Sequence, residues 1–559
     1  MKETGISFSK KIAIINLTIK SLVVLIFCFS LFQQASGQKA KEGSGNSSEY
    51  ISKVWVSDLG NGTYRNPVIN ADYSDPDAIR VGEDYYLTSS SFTCAPGLPV
   101  LHSRDLVNWK IIGHALERQI PEETYAKTQQ GKGVWAPAIR YHNGQFYIYY
   151  PDPDYGIYMV KTTDPAGRWE DPVLVIKGKG LIDPCPLWDD DGSVYLVNAW
   201  AGSRAGINSI LTVYRLNSDG TSAIDNGRIV YDGRETNPTI EGPKIFKRDG
   251  YYYISAPAGG VTRGWQLILR STTVYGPFEE KIVIDQGSTP VNGPHQGAYV
   301  DTPTGESWFL HFQDKGAYGR VVHLQPVKWI DGWPVTGYDK DGDGKGEPVL
   351  TYRKPVTGPD LPVCSPGESD EFNGERLGLQ WQWNANPSVT WMSLLPGKGM
   401  LRLYSIPLPE GYSNLWDLPN FLGQKLPAES FSITTKMRIG NGKAGLGILG
   451  RSYSSIYMEK SGDSILVKQV TCTDAEKKGR EIINEAVILK NNEVYLRVSV
   501  SGPDANCSFS YSLNGKDFSK VGKEFKAVAG GWIGAKAGLF CLPGKKVTGY
   551  ADFDWFRVE

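Results

Sequence analysis

The sequence predicts an all-β protein, a five-bladed β-propeller followed by a β-sandwich, and three observations carry that prediction. One hairpin pattern recurs five times between Asp75 and Trp308. The stretch that contains the five copies shows strand patterning and no helical periodicity. Beyond a Pro-rich break, the remaining third of the chain alternates about a dozen short strands with Gly, Asn and Asp turns.

The copies are DPDAIRVGEDYYLTS from Asp75, WAPAIRYHNGQFYIYY from Trp135, DPCPLWDDDGSVYLV from Asp183, EGPKIFKRDGYYYIS from Glu241, and HQGAYVDTPTGESWFLHF from His295. Each has a polar or aromatic head residue, a small or proline-bearing step, a hydrophobic strand, a Gly-containing turn and a second aromatic strand. Two strands of period two around a Gly turn make a hairpin. Hairpins repeating roughly every 50 to 60 residues make the radial blades of a propeller, so five copies predict five blades. Equivalent positions of radial blades lie on one ring. Asp75, Trp135, Asp183, Glu241 and His295 should therefore converge at one mouth. Carboxylates are costly to desolvate, and three at one place perturb one another's protonation.

Taken in order, residues 1–37 read as a secretory signal. Lys10, Lys11 and Lys20 precede the apolar run Ser21–Phe32, and Ala35-Ser36-Gly37 offers a small-residue cleavage site. The run is short for a membrane span, and Cys28 within it lacks a lipoprotein context. An exported protein is expected, periplasmic or extracellular, with no membrane partner after cleavage. Residues 38–62 read as a flexible leader and 63–352 as the propeller. Near the propeller's end, Asp339, Asp341, Asp343 and Gly344 resemble the start of an EF-hand loop. Leu350 stands where a bidentate Glu is required, so a solvated turn is expected. Residues 353–368 form a Pro-rich linker and 369–559 the sandwich.

Composition excludes several classes of function. The 559 residues carry a net charge of -1, which argues against nucleic acid as a partner. The 16 Trp and 30 Tyr suit strands, and they also suit stacking on sugar rings. The six cysteines beyond the signal have no CxxC spacing, which argues against a zinc site, and leaves both disulfides and buried thiols open. Cys185 reads as a packing residue. Without a metal or nucleotide motif, the simplest chemistry that uses two working carboxylates is glycoside hydrolysis, with an acid on the leaving oxygen and a base on water. A third carboxylate beside the acid raises its pKa. A structural cation ring is the competing reading of the same cluster.

The motifs Asn66-Pro67-Val68, Asp75-Pro76-Asp77, Trp135-Ala136-Pro137, Ile182-Asp183-Pro184 and Glu241-Gly242-Pro243, in this order, resemble glycoside hydrolase family 43. DEFNGERLGLQWQW, Asp370 to Trp383, resembles the start of the concanavalin-like C-terminal domain of that family's β-xylosidase/arabinofuranosidase branch. The resemblance implies Asp75 as general base, Glu241 as general acid and Asp183 as the carboxylate that tunes and orients the acid. It implies Arg320 as a contact to sugar and carboxylates, and Trp135 as a wall of the sugar pocket. Phe92 is a candidate second wall. His295 matches an axial histidine that in some members helps hold a calcium ion or a water. No cofactor is otherwise implied. Ser74-Asp75-Pro76-Asp77-Ala78 departs from the Pro-Asp-Pro-Ser of many relatives, which makes Asp77 a second candidate base. The family inverts, so base and acid carboxyls should stand ~6.5–9.5 Å apart. The expected reaction is exo-hydrolysis of terminal α-L-arabinofuranose from hemicellulose oligosaccharides, with β-D-xylose, or both sugars, as the alternative. A catalytically silent sugar-binding propeller is the reading from another class.

Overall fold

The computed structural model describes residues 49–358, 361–395, 397–544 and 549–559. The expected signal, and the leader as far as residue 48, lie outside them. The described residues are almost wholly β, with two four-residue α-helices, Glu122–Tyr125 and Gly202–Ala205, and three single 3-10 turns.

Five four-stranded antiparallel sheets follow one another in chain order. Their first strands are Asp77–Val81, Ala138–His142, Leu181–Trp188, Lys244–Arg248 and His295–Asp301, and each begins at or just beside one of the five head residues. The recurring hairpin is thus the inner half of each blade. In the fourth blade Lys244 pairs with Ser255 and Arg248 with Tyr251. The turn between them puts Asp249 at φ 49° and Gly250 at φ 81°, the left-handed pair that a two-residue hairpin turn requires. Two further strands per blade, which carry no head motif, complete each sheet.

The ring is closed by the chain on either side of it. Thr63–Arg65 pairs antiparallel with Thr351–Arg353, and Ile69 bridges to Val322 in the last blade. Asn66 completes the seam. Its amide donates to Leu324 O at 2.9 Å and Val349 O at 2.7 Å, and its Oδ1 accepts from Leu324 N at 2.8 Å. Apolar clusters fill the space between neighbouring blades. One of them packs Tyr85, Leu101 and Trp109 of the first blade against Trp308, Leu310 and Val322 of the fifth.

The described part of the expected flexible leader is held, and so is the linker. Residues 49–62, placed in the leader, are fixed because Trp55 anchors them: its Nε1 donates to Pro67 O at 3.0 Å and Arg65 lies 3.9 Å over its ring. Ser57 Oγ adds a bond to Val107 O. The linker lies against the same surface. Lys354 Nζ reaches Asp58 at 2.6 Å and Asp105 at 3.0 Å, and Ser365 N bonds Tyr50 O.

The second domain is a sandwich whose two sheets share one 19-residue strand, Phe431–Leu449. Its first half pairs with Glu493–Ser501 and Tyr550–Val558, and its second half with Tyr453–Ser461 and Lys536–Leu542. Leu401, Ile433, Met437, Ile448, Leu539 and Phe553 fill the space between. The sandwich is bonded to the propeller at several places. Ala95 and Trp383 exchange backbone bonds of 3.0 and 2.7 Å, and Ala535 N donates to Ala317 O at 2.7 Å. All six cysteines beyond the signal are free thiols. The Asp339, Asp341 and Asp343 carboxylates lie within 4.8 Å of one another in a half-exposed to exposed turn, where Asp339 accepts from the amides of Gly342 and Gly344.

Candidate active site

The heads of the first and third blades are turned inward by their backbone. Asp75 has φ 55° and Asp183 φ 56°, a left-handed conformation that non-glycine residues adopt at a cost of about 1–3 kcal/mol. At Asp183 the pairing with the next strand slips between Ile182 and Cys185, which frees the aspartate from the ladder. Such strain persists where the surroundings enforce it, and here the surroundings are the other heads. One cavity is lined by Asp75, Phe92, Trp135, Asp183, Glu241 and Arg320 together. His295 stands behind it, with its Nε2 3.5 Å from Glu241 Oε1.

Three donors grip Asp75. Ser74 Oγ and Ser90 Oγ donate to Oδ2 at 2.7 and 2.5 Å, and Arg320 donates to Oδ1 at 2.9 Å. Arg320 is itself fixed, bonded to Ser74 Oγ, with its guanidinium 4.8 Å over the Phe312 ring. Its backbone amide donates to Asp72 at 2.8 Å. Asp183 Oδ2 accepts from the Gly242 amide at 2.7 Å and faces the Gln296 amide at 3.5 Å. Asp183 therefore bonds the residue that follows Glu241, which ties the two carboxylates into one unit.

The electrostatics follow from burial. Desolvation, then the Asp183 charge, pushes the Glu241 carboxyl far above its usual range, against the pull of Arg320. Desolvation also raises Asp183; the Gly242 amide opposes the rise and Asp75 adds to it. The Asp183 oxygen that accepts a backbone amide is the better place for negative charge, so the proton of the pair belongs on Glu241. A third of the Glu241 side chain, 33%, still faces the cavity, and a ligand filling that space would strengthen the effect. His295 is completely buried, and burial, with Arg320 and His311 nearby, pushes its pKa down to about 3. The imidazole is neutral and its approach to Glu241 is not an ion pair. Neither of its nitrogens has a hydrogen-bond partner among the described residues.

Asp77 does not join this cavity. It is fully buried, and its Oδ2 accepts from Ile139 N at 2.8 Å and Arg140 Nη1 at 2.6 Å, which ties the first blade to the second beside a separate cavity. Cys185 Sγ lies 2.7 Å from the same arginine, as a packing residue. Removing one partner of a buried pair costs about 3–5 kcal/mol. Asp77→Asn should accordingly lower the denaturation midpoint and leave kcat of the folded enzyme within about threefold of wild type. A large loss of kcat at unchanged stability would return Asp77 to the chemistry.

Sequence reasoning missed one wall entirely. Trp532, in the sandwich turn Gly530–Gly534, reaches the cavity with its ring 5.9 Å from that of Trp135. Trp135 in turn lies 6.2 Å from Phe92. Glycine permits the approach: a Cβ on Gly534 would meet Gly319 N at 2.6 Å, and the Gly534 amide donates to Asp72 at 2.9 Å. The only local signal was a tryptophan set in a glycine-rich turn.

Comparison with known proteins agrees with the fold. The family model described as glycosyl hydrolases family 43 matches residues 64–334, and that of the beta xylosidase C-terminal concanavalin A-like domain matches 369–559. A putative beta-xylosidase of Xylanibacter ruminicola is 40% identical over 88% of each chain. A beta-xylosidase of Formosa agariphila is 32% identical over 97% of each. A non-reducing end alpha-L-arabinofuranosidase of Bacteroides ovatus is 29% identical over 90% of this chain and 96% of its own. Among solved structures, the GH43 protein BlXynB of Bacillus licheniformis superposes with a TM-score of 0.75 at 28% identity, over 89% of this chain and 99% of its own.

Proposed function

From the premise that this chain belongs to glycosyl hydrolases family 43, we propose that it is an exo-acting, inverting glycosidase that removes terminal pentoses from hemicellulose-derived oligosaccharides, with β-D-xylose as its first substrate. The observation that carries this reading is the meeting of Asp75, Asp183 and Glu241 in one aromatic-walled cavity. Glu241, kept protonated by burial, donates to the leaving oxygen. Asp75, held by Ser74, Ser90 and Arg320, takes a proton from the attacking water. Asp183 holds the Gly242 backbone and keeps the proton on Glu241. Phe92 and Trp135 wall the terminal sugar, and Trp532 faces the next ring.

α-L-Arabinofuranose, the first expectation from the sequence although its motifs do not separate the two sugars, is the second substrate. The Bacteroides ovatus relative supports it, and the two xylosidase relatives support xylose ahead of it. The test is turnover of 4-nitrophenyl β-D-xyloside against the α-L-arabinofuranoside, with the first-formed anomer read by NMR. Sugar binding without turnover of either would favour a binding propeller, and retained configuration would remove the inverting mechanism.

His295 and the unpartnered Gln296 Oε1 are the groups that would hold an axial water or calcium ion. Calcium takes six to eight oxygen ligands, so water would have to supply most of its shell, and these residues fit a bound water better. Export is part of the proposal, and signal cleavage near Gly37, read by N-terminal sequencing of the secreted protein, tests it.

Trp532→Ala is expected to raise KM for xylo-oligosaccharides up to about tenfold, the worth of one ring contact, with kcat changed by less than about threefold. An unchanged KM would mean that the indole does not touch substrate.

A further inference from the structure

Two buried side chains that the proposed chemistry leaves unused meet where the domains join. Cys94 lies two residues after Phe92, in the first-blade loop that bridges to Trp383. Lys536 opens the strand that follows the Trp532 turn. They are 2% and 6% exposed, and Lys536 Nζ lies 2.5 Å from Cys94 Sγ. Among the described residues, no carboxylate forms an ion pair with Lys536. The Cys94 thiol is the side-chain group within hydrogen-bond reach of the amine. Lys425, the register partner of Lys536, adds a second amine beside the pair.

The geometry points to an oxidant-formed covalent bridge between Cys94 and Lys536, in which one oxygen atom is inserted between Sγ and Nζ. An oxidised cysteine sulfur is captured by a nearby nitrogen. With dioxygen as the oxidant the atoms balance. The S–H bond, one N–H bond of the neutral amine and the O–O bond break, and S–O and O–N bonds form. The second oxygen leaves as water with the two hydrogens. Sulfur and nitrogen together lose four electrons, and dioxygen accepts them. The cavity between the first blade and the sandwich, lined by Lys425, Gln424, Gln382 and Pro99, reaches Lys425 beside the pair. The bridge would lock the loop that carries Phe92 to the turn that carries Trp532, and so fix two walls of the pocket that come from different domains.

The test is peptide mapping of the full chain, purified without oxygen and then aerated, with iodoacetamide alkylation under denaturing conditions. The expected product is a linked pair of peptides, one with Cys94 and one with Lys536, heavier than their sum by one oxygen and lighter by two hydrogens. Cys94 alkylation should fall in step with it and return with excess dithiothreitol. The link should be absent from Cys94→Ser and from Lys536→Arg, and the dithiothreitol reversal in the wild-type chain stands as a test even if either variant misfolds. Cys94 that stays fully alkylatable after aeration, or that is oxidised with no linked peptide, would overturn the bridge.

Discussion

Glu241→Gln is expected to slow hydrolysis of xylobiose by about 10²–10⁴-fold, the worth of a positioned general acid. Aryl xylosides with good leaving groups should stay within about tenfold of wild type, because their leaving oxygen departs without a proton. The amide keeps the size of the side chain and loses only its transferable proton. Equal losses on both substrates would take the acid role away from Glu241. The pH profile supplies a second reading. Burial and the Asp183 charge raise the Glu241 pKa, so the acid form persists above the ordinary glutamate value of about 4.3. The group is active while protonated. Activity should therefore survive into the neutral range and fall only as pH rises through the elevated value, and this basic limb should flatten in Glu241→Gln. A limb near the ordinary glutamate value would mean that the pocket does not hold the proton.

Asp75→Ala is expected to remove about 10²–10⁴-fold of rate from activated and natural substrates alike, because both need an activated water. The truncation leaves Arg320, Ser74 and Ser90 without the carboxylate they grip, and opens a small cationic space. Azide, a small anion and a nucleophile that needs no base, fits that space in charge. It should restore turnover of the aryl glycoside and yield a glycosyl azide of inverted configuration. Circular dichroism separates this from unfolding, since Arg320 loses its principal counter-charge. A wild-type rate in the variant would remove Asp75 from the mechanism. Together the two variants distinguish acid from base, because leaving-group ability rescues one and an external nucleophile the other.

The inner hairpins and the order of the blades were legible in the sequence because hairpin chemistry is local. Period-two alternation and the Asp249-Gly250 turn act over a few residues and need no distant partner. The convergence of Asp75, Asp183 and Glu241 was legible for a related reason, since equal places in equal repeats fall on one ring. Asp75 and Asp77 were not separable this way. They stand two residues apart in one motif, and only the left-handed backbone at Asp75 turns it to the axis while Arg140 captures Asp77.

By itself the sequence determined the wheel, its five heads and a second β domain, all of them patterns repeated along the chain. The tertiary structure alone decided that residues 49–62 are anchored through Trp55, that Trp532 completes the pocket from the other domain, and that Cys94 meets Lys536. The last two are contacts between surfaces far apart in sequence, set by how two finished domains dock; the first is made by an irregular segment, and no local periodicity encodes any of them.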